Sequence, residues 1–206
     1  MMEVIAAHRR ALADALGTLT ADQWGSASLC AGWTAAHVLA HQTMPFRISE
    51  PDFMAGLQCC GGDFTKFSDQ IAERDSKLPP AELVAVLRAN ADTPWRPPGG
   101  GLTGALTHDV IHGLDIAWPL GLAYETSERA TAAVLDSLTS PGSQTVFGFP
   151  LEGIRVAASD VGWSAGEGAE LTGRSRDLMP LLAGRAVPHD LFDGEGAARA
   201  WSLAAR

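Results

Sequence analysis

The stretch Leu106-Thr107-His108-Asp109-Val110-Ile111-His112-Gly113-Leu114-Asp115-Ile116 decides how this chain is read. On a helix, His108 and His112 stack on one face, and Asp115 extends the same stripe by a turn. Leu106, Val110, Ile111, Leu114 and Ile116 are apolar, so the polar stripe is expected to look into the protein interior. A buried polar stripe needs a partner, and two imidazoles at this spacing can share a divalent metal ion.

Two histidines are an incomplete site, because catalytic zinc normally takes three protein ligands and keeps one position open. The best third ligand is His41, in Trp33-Thr34-Ala35-Ala36-His37-Val38-Leu39-Ala40-His41. It falls near the C-terminal part of a second predicted helix, among Val38, Leu39 and Ala40. His8 and His189 lack such company and read as surface or loop residues. With Thr34 as N-cap, His37 occupies the third helical position, where an acid completes a capping box better than an imidazole does. One turn below His41, His37 is a candidate supporting residue, substrate contact or alternative ligand, against the plain reading of a surface residue. Asp115 is a candidate for orienting His112 or His108 through the outer ring nitrogen. Cys30 and Trp33 read first as packing residues, since a nucleophilic cysteine needs a depressed pKa and a nearby base, which the sequence does not display.

Outward from the histidine segment, helical apolar spacing covers residues 2–17, ended by Gly17. A helix is expected from Thr34 to about Met44, stopped by Pro45. A polar stretch broken at Cys59-Cys60-Gly61-Gly62 follows, and helical patterns resume at 63–75 and 81–91. Pro97-Pro98-Gly99-Gly100-Gly101 is a loop without the lysine and spacing of a phosphate loop. The histidine helix then runs from about Thr103 to Trp118, and another covers 127–138. After Ser140-Pro141-Gly142 the composition changes: 153–158 and 161–165 read as short strands, followed by helices near 174–184 and 195–204. The expected fold is therefore mainly α, a helical bundle over 1–145 with a small α+β piece over 146–206.

The 206 residues are 46% hydrophobic and 19% charged, enough for a core and inconsistent with a disordered chain. A formal charge of −9 with no basic block argues against nucleic acid and anionic membranes as partners. Arg9-Arg10 and the C-terminal arginines read as solvated surface. No apolar run approaches a membrane span, and residues 1–16 read as an amphipathic helix and not a secretory signal. Three cysteines, two of them adjacent, give no disulfide framework, which points to a reducing cytoplasm.

Several of these segments carry a resemblance. Leu29-Cys30-Ala31-Gly32-Trp33-Thr34-Ala35-Ala36-His37-Val38-Leu39-Ala40-His41 is similar to a helix signature of the DinB-like four-helix-bundle metalloproteins. More narrowly, it resembles the actinobacterial mycothiol-dependent maleylpyruvate isomerase group. His108 to Ile116 resembles the second metal motif of that group. Ser159-Asp160-Val161-Gly162-Trp163-Ser164, Leu181-Leu182-Ala183-Gly184-Arg185 and Asp193-Gly194-Glu195-Gly196 resemble its C-terminal domain. The likeness covers nearly the whole chain in the right order. It implies that His41, His108 and His112 bind a divalent metal between helices, most often Zn²⁺, with Ni²⁺, Mn²⁺ or Fe²⁺ as alternatives.

The resemblance also implies a metal-dependent enzyme that uses mycothiol as cosubstrate and a small electrophile as acceptor. Such an enzyme is an isomerase or an S-transferase; a homodimer is one assembly open to the chain, and its oligomeric state is not fixed by the sequence. Trp33 and Arg185 become candidate contacts for the thiol or substrate, Arg185 through its carboxylate-matching fork. The plain alternative for Arg185 is a charge favoured by the helix dipole. Two rival readings remain: a non-catalytic metal-binding stress-response bundle, and a metal-dependent hydrolase in which water replaces the thiol.

Overall fold

The computed structural model describes residues 1–147, 149 and 151–204, which form two compact units, Met1–Tyr124 and Glu125–Arg206. The first unit contains α1 (Met2–Leu16), α2 (Ala21–Trp24), α3 (Ala35–Arg47), α4 (Glu50–Cys59), α5 (Phe64–Asp75), α6 (Pro80–Ala89) and α7 (Gly101–Ala117). Helices α1, α6, α3 and α7 close a ring in which each packs on two neighbours, and α5 adds to α3. This is the mainly α, four-helix architecture expected of a DinB-like chain. Leu12, Leu39, Leu83 and Leu106, one from each helix of the ring, are completely buried. Each contributes roughly 1.5–3 kcal/mol by leaving water.

The apolar stripe of α1 explains its packing and corrects two expectations. Ile5, Leu12 and Leu16 are buried, and His8 and Arg9 fall on the same stripe at helical spacing. Both are buried, Arg9 completely, so neither is a surface residue. Arg10, in contrast, is exposed and pairs with Asp92. The Tyr124 hydroxyl lies 2.8 Å from His8 Nε2. Burial holds the His8 pKa below its usual value, although the nearby charge of Asp109 acts in the opposite direction.

Pro45 does not stop α3, which runs on to Arg47. A proline removes one donor from the helix ladder. Here Thr43 Oγ1 and Arg47 Nη2 donate to the carbonyls of Leu39 and Ala40, at 2.7 Å each, across the turns beside it. The polar stretch after Pro45 also holds a helix, α4. Ser49 caps it by accepting from the Asp52 N–H, and Pro51 and two acids suit its first turn. It buries no residue, so the apolar periodicity that reveals other helices is missing from its sequence.

The second unit contains α8 (Glu128–Leu138), α9 (Pro141–Phe147), β1 (Ile154–Ala158), β2 (Trp163–Gly166), β3 (Ala169–Gly173), α10 (Ser175–Leu182) and α11 (Glu195–Ala204). The expected boundary at residue 145 falls within α9, and α8 is grouped with this unit. The sheet order is β2-β1-β3, with β1 antiparallel to β2 and parallel to β3. The sequence reading anticipated two strands and not β3. The link from β2 to β3 rounds the start of β1 so closely that a Cβ at Gly166 or Gly168 would meet the Ile154 or Gly153 carbonyl at 2.4 or 2.2 Å. Gly166, at the end of β2, and Gly168 are what allow β1 to sit between its neighbours. Helix α11 covers β3 and β1.

Two outcomes follow from the interior of the first unit. A Cβ on Gly113 of α7 would stand 3.2 Å from both methyls of Leu12 and 2.9 Å from the Tyr124 hydroxyl. Gly113→Ala should therefore lower thermal stability by about 1–2 kcal/mol despite alanine's better helix propensity, because overpacking outweighs it. The second outcome concerns pH. Unfolded, His8 titrates near its ordinary 6.5, whereas folded it resists protonation. The unfolded chain thus gains protons first as pH falls below about 6.5, and stability drops there by up to ~1.4 kcal/mol per pH unit for one group. Thermal melts from pH 8 to 5 should show this loss, and His8→Gln should flatten it relative to wild type.

Candidate metal centre

Three imidazoles from two helices of the ring converge. One ligand-capable nitrogen each from His41 on α3 and from His108 and His112 on α7 lie within 4.8 Å of one another. Ring centroids are 5.3 Å apart for His41 and His108, and 4.7 Å for each of the other two pairs. His41 Nε2 and His108 Nε2 are 3.4 Å apart. Two nitrogens bound to one tetrahedral zinc at about 2.0–2.1 Å are separated by roughly 3.3–3.4 Å. The spacing of this pair therefore suits a shared ion.

Each imidazole is held from behind by its other nitrogen. His41 Nδ1 is 2.8 Å from Ser68 Oγ on α5. His108 Nδ1 is 3.2 Å from Asp109 Oδ1, and His112 Nδ1 is 2.9 Å from Asp115 Oδ2. A carboxylate only accepts, so Nδ1 of His108 and of His112 carries the hydrogen and Nε2 presents a lone pair. This is the outer-partner arrangement that fixes ring orientation in histidine metal sites. The donor set is three imidazole nitrogens, chemistry that suits Zn²⁺ and also Ni²⁺ or Fe²⁺.

Asp109 and Asp115 are both buried, at 1% and 0% exposure. Burial alone pushes the Asp109 carboxyl up. The hydrogen bond from His108 and the charge of Arg9 oppose that, and the carboxyl is held below its ordinary range. Asp115 Oδ2 also accepts from the Cys30 thiol at 3.0 Å. Cys30 opens a tight turn, Cys30-Ala31-Gly32-Trp33, closed by Trp33 N–H donating to the Cys30 carbonyl at 3.0 Å. Gly32 takes the positive φ of 79° that the third position of such a turn needs. Cys30, His112 and Asp115 form a second group of donor atoms within 4.8 Å. The cysteine expected to be a packing residue thus touches the support of one candidate ligand.

Aromatic rings flank the imidazoles. Trp33 lies 5.2 Å and Phe64 6.5 Å from the His41 ring, and Trp95 lies 5.0 Å from His108. Trp33 also donates from Nε1 to Asp69 at 3.1 Å. His37 stands apart from the three. Its Nδ1 is 2.7 Å from Thr34 Oγ1 and 3.4 Å from the Thr34 main-chain nitrogen, and its Nε2 is 3.1 Å from Glu73 Oε2. The imidazole thereby completes the capping box that was expected to need an acid. The Glu73 pKa is lowered by its hydrogen bonds from Lys77 and His37. Arg185 belongs to the second unit, where its Nη1 donates to the Ala183 carbonyl at the end of α10, at 3.1 Å.

Sequence reading found the three imidazoles and Asp115 but missed Ser68, Asp109, Arg9 and Trp95. Asp109 and Arg9 could have been found by placing them on the buried stripes of their helices. Nothing local in the sequence marks Ser68 or Trp95, which reach the imidazoles through tertiary contacts.

Residues 5–96, under half of the chain, match the family model described as the mycothiol maleylpyruvate isomerase N-terminal domain. No curated protein matches. Among solved structures, the mycothiol-dependent maleylpyruvate isomerase aligns with a TM-score of 0.62 at 17% identity, covering 94% of this chain and 91% of the other. A histidine-to-alanine mutant of that isomerase aligns with a TM-score of 0.56 at 16% identity and the same coverage. By sequence over residues 5–96, and by fold over 94% of its length, the chain is similar to the mycothiol-dependent maleylpyruvate isomerases.

Proposed function

We propose that this chain is a metal-dependent isomerase that uses a low-molecular-weight thiol, mycothiol, and acts on a small electrophilic acid. The observation that carries the reading is the convergence of His41, His108 and His112 with their outer nitrogens engaged by Ser68, Asp109 and Asp115. A bound divalent ion, Zn²⁺ before Ni²⁺, Mn²⁺ or Fe²⁺, would lower the pKa of a thiol placed beside it and so supply a thiolate at neutral pH. Three protein ligands leave room for that sulfur, which a closed structural site does not.

The chain's own part is to bind, orient and exclude water. Asp109 and Asp115 keep two imidazoles in the tautomer that turns Nε2 inward, and Ser68 fixes the third. Trp33 and Trp95 lie beside the imidazoles; in this reading they limit water access, and Trp33 would contact the thiol. His37 supports the start of α3 and hence the approach to His41. The thiolate adds to an electrophilic carbon of a conjugated double bond, and the electron pair moves to the carbonyl oxygen. Rotation about the new single bond follows, and return of the electron pair expels the thiolate. Among the described residues, no helix is long and apolar enough to cross a membrane. The three cysteines form no disulfide with one another, and a reducing cytoplasm, where such a thiol is available, is the compartment this reading calls for.

The test is calorimetry and thermal melting with Zn²⁺ and mycothiol, coupled to NMR of maleylpyruvate turnover. Zn²⁺ should stabilise the chain, mycothiol should add to that only when Zn²⁺ is present, and His112→Ala should abolish both effects and turnover. Full activity of His112→Ala, or Zn²⁺ binding that mycothiol does not extend, would contradict the reading. Release of a stable thiol adduct in place of the isomer would replace the isomerase with an S-transferase.

A further inference from the structure

Arg9 is the most deeply buried cation among the described residues of the first unit, and nothing in the proposed reaction uses it directly. It reaches from α1 into the ring with 0% exposure, and its Nε donates to Asp109 Oδ2 at 2.6 Å. The other oxygen of that carboxylate faces His108 Nδ1 at 3.2 Å. Arg9 Nη1 donates to the carbonyls of Asn90 and Thr93, at 3.0 and 2.8 Å. Its guanidinium lies 5.0 Å over the Phe46 ring. Nη2 is buried with no hydrogen-bond partner among the described residues. Gln42 on α3 donates to the Asp109 carbonyl at 3.1 Å.

One guanidinium therefore ties together two things that meet at His108. Through Asp109 it acts on the back of the imidazole. Through Asn90 and Thr93 it holds the segment after α6, which two residues later carries Trp95 to 5.0 Å from the same imidazole. A cation this deeply buried is costly to desolvate, and an aliphatic side chain of similar size would fill the space without that cost. A planar fork serves the carboxylate from Nε and the two carbonyls from Nη1, whereas lysine carries its three donors on a single, shorter-reaching nitrogen.

We propose that Arg9 is a positioning residue for the histidine centre, holding His108 in its Nδ1-protonated tautomer through Asp109 and fixing the Trp95 wall through Asn90 and Thr93. The proposal rests on the reading of His41, His108 and His112 as metal ligands. The three imidazoles are then not equivalent. His41 is backed by a hydroxyl, His112 by a carboxylate that also accepts from Cys30, and His108 by a carboxylate shared with a guanidinium. The negative charge behind His108 is partly neutralised by Arg9, so it fixes the ring while raising its basicity less than an unshared carboxylate does.

The experiment has two arms. In metal-free wild-type protein, ¹⁵N NMR of the histidine rings should show His108 protonated at Nδ1. Protonation of His108 at Nε2 overturns the relay whether or not the chain binds metal. In the second arm, Zn²⁺ affinity is measured by competition with a chromophoric chelator, well below the melting temperature. The proteins compared are wild type, Arg9→Lys, His108→Ala and the double variant.

Arg9→Lys should weaken Zn²⁺ binding about 10–100-fold and alter quenching of tryptophan fluorescence by Co²⁺. It should add no further loss in the His108→Ala background. Affinity of Arg9→Lys within twofold of wild type, or an equal loss in both backgrounds, overturns the proposal and leaves Arg9 a purely structural ion pair. If wild type itself binds no Zn²⁺, the metal-site reading fails, and the tautomer measurement alone decides on the relay. The same measurement decides if Arg9→Lys does not fold.

Discussion

The seam between α3 and α7 carries imidazoles where a helical bundle ordinarily carries aliphatic side chains, and the rest of the first unit is arranged around that substitution. Imidazole nitrogens removed from water must find hydrogen-bond partners. Six ring nitrogens meet there: Ser68, Asp109 and Asp115 each engage an Nδ1, and the Nε2 atoms of His41 and His108 approach to 3.4 Å. At that distance the two nitrogens can share either a proton or a cation. The hydrogen-bonding logic of the core and the case for a metal are thus the same argument.

Satisfying the imidazoles moves the problem outward. Asp109 and Asp115 are more deeply buried than the imidazoles they support, and a buried carboxylate needs donors of its own. Asp109 takes them from His108 and Arg9, and Asp115 from His112 and Cys30. Each shell recruits residues from more distant parts of the chain, α1, the turn before α3, and α5. This explains why so many polar side chains lie inside a four-helix ring of modest size. Aliphatic residues such as Leu12, Leu39, Leu83 and Leu106 supply the compensating burial.

This layering also explains what could be read from the sequence. His108 and His112 were legible because a helix turns two like residues four apart into neighbours, and His41 because it sits in an apolar helical stretch. Asp115 was legible by the same periodicity. Arg9 was misjudged because its charge suggested solvent, and His8 because no other candidate ligand accompanies it, although their positions between Ile5 and Leu12 place them on the buried stripe. Helix α4 was hidden because it buries no side chain, so only its Ser49 cap and first-turn acids mark it. Pro45 misled as a helix stop because Thr43 and Arg47 supply side-chain donors near the break. Ser68 and Trp95 could not be read at all, since nothing near them in sequence records which imidazole they meet in space.

The central claim is that three imidazoles share one ion and leave a place for sulfur. X-ray absorption spectroscopy at the zinc edge tests it most directly, on Zn²⁺-loaded protein with and without mycothiol. The account predicts three histidine nitrogens at about 2.0–2.1 Å without thiol, and one added sulfur at about 2.3 Å with it. A sulfur ligand already present without mycothiol would place the ion instead among Cys30, His112 and Asp115, and contradict the account.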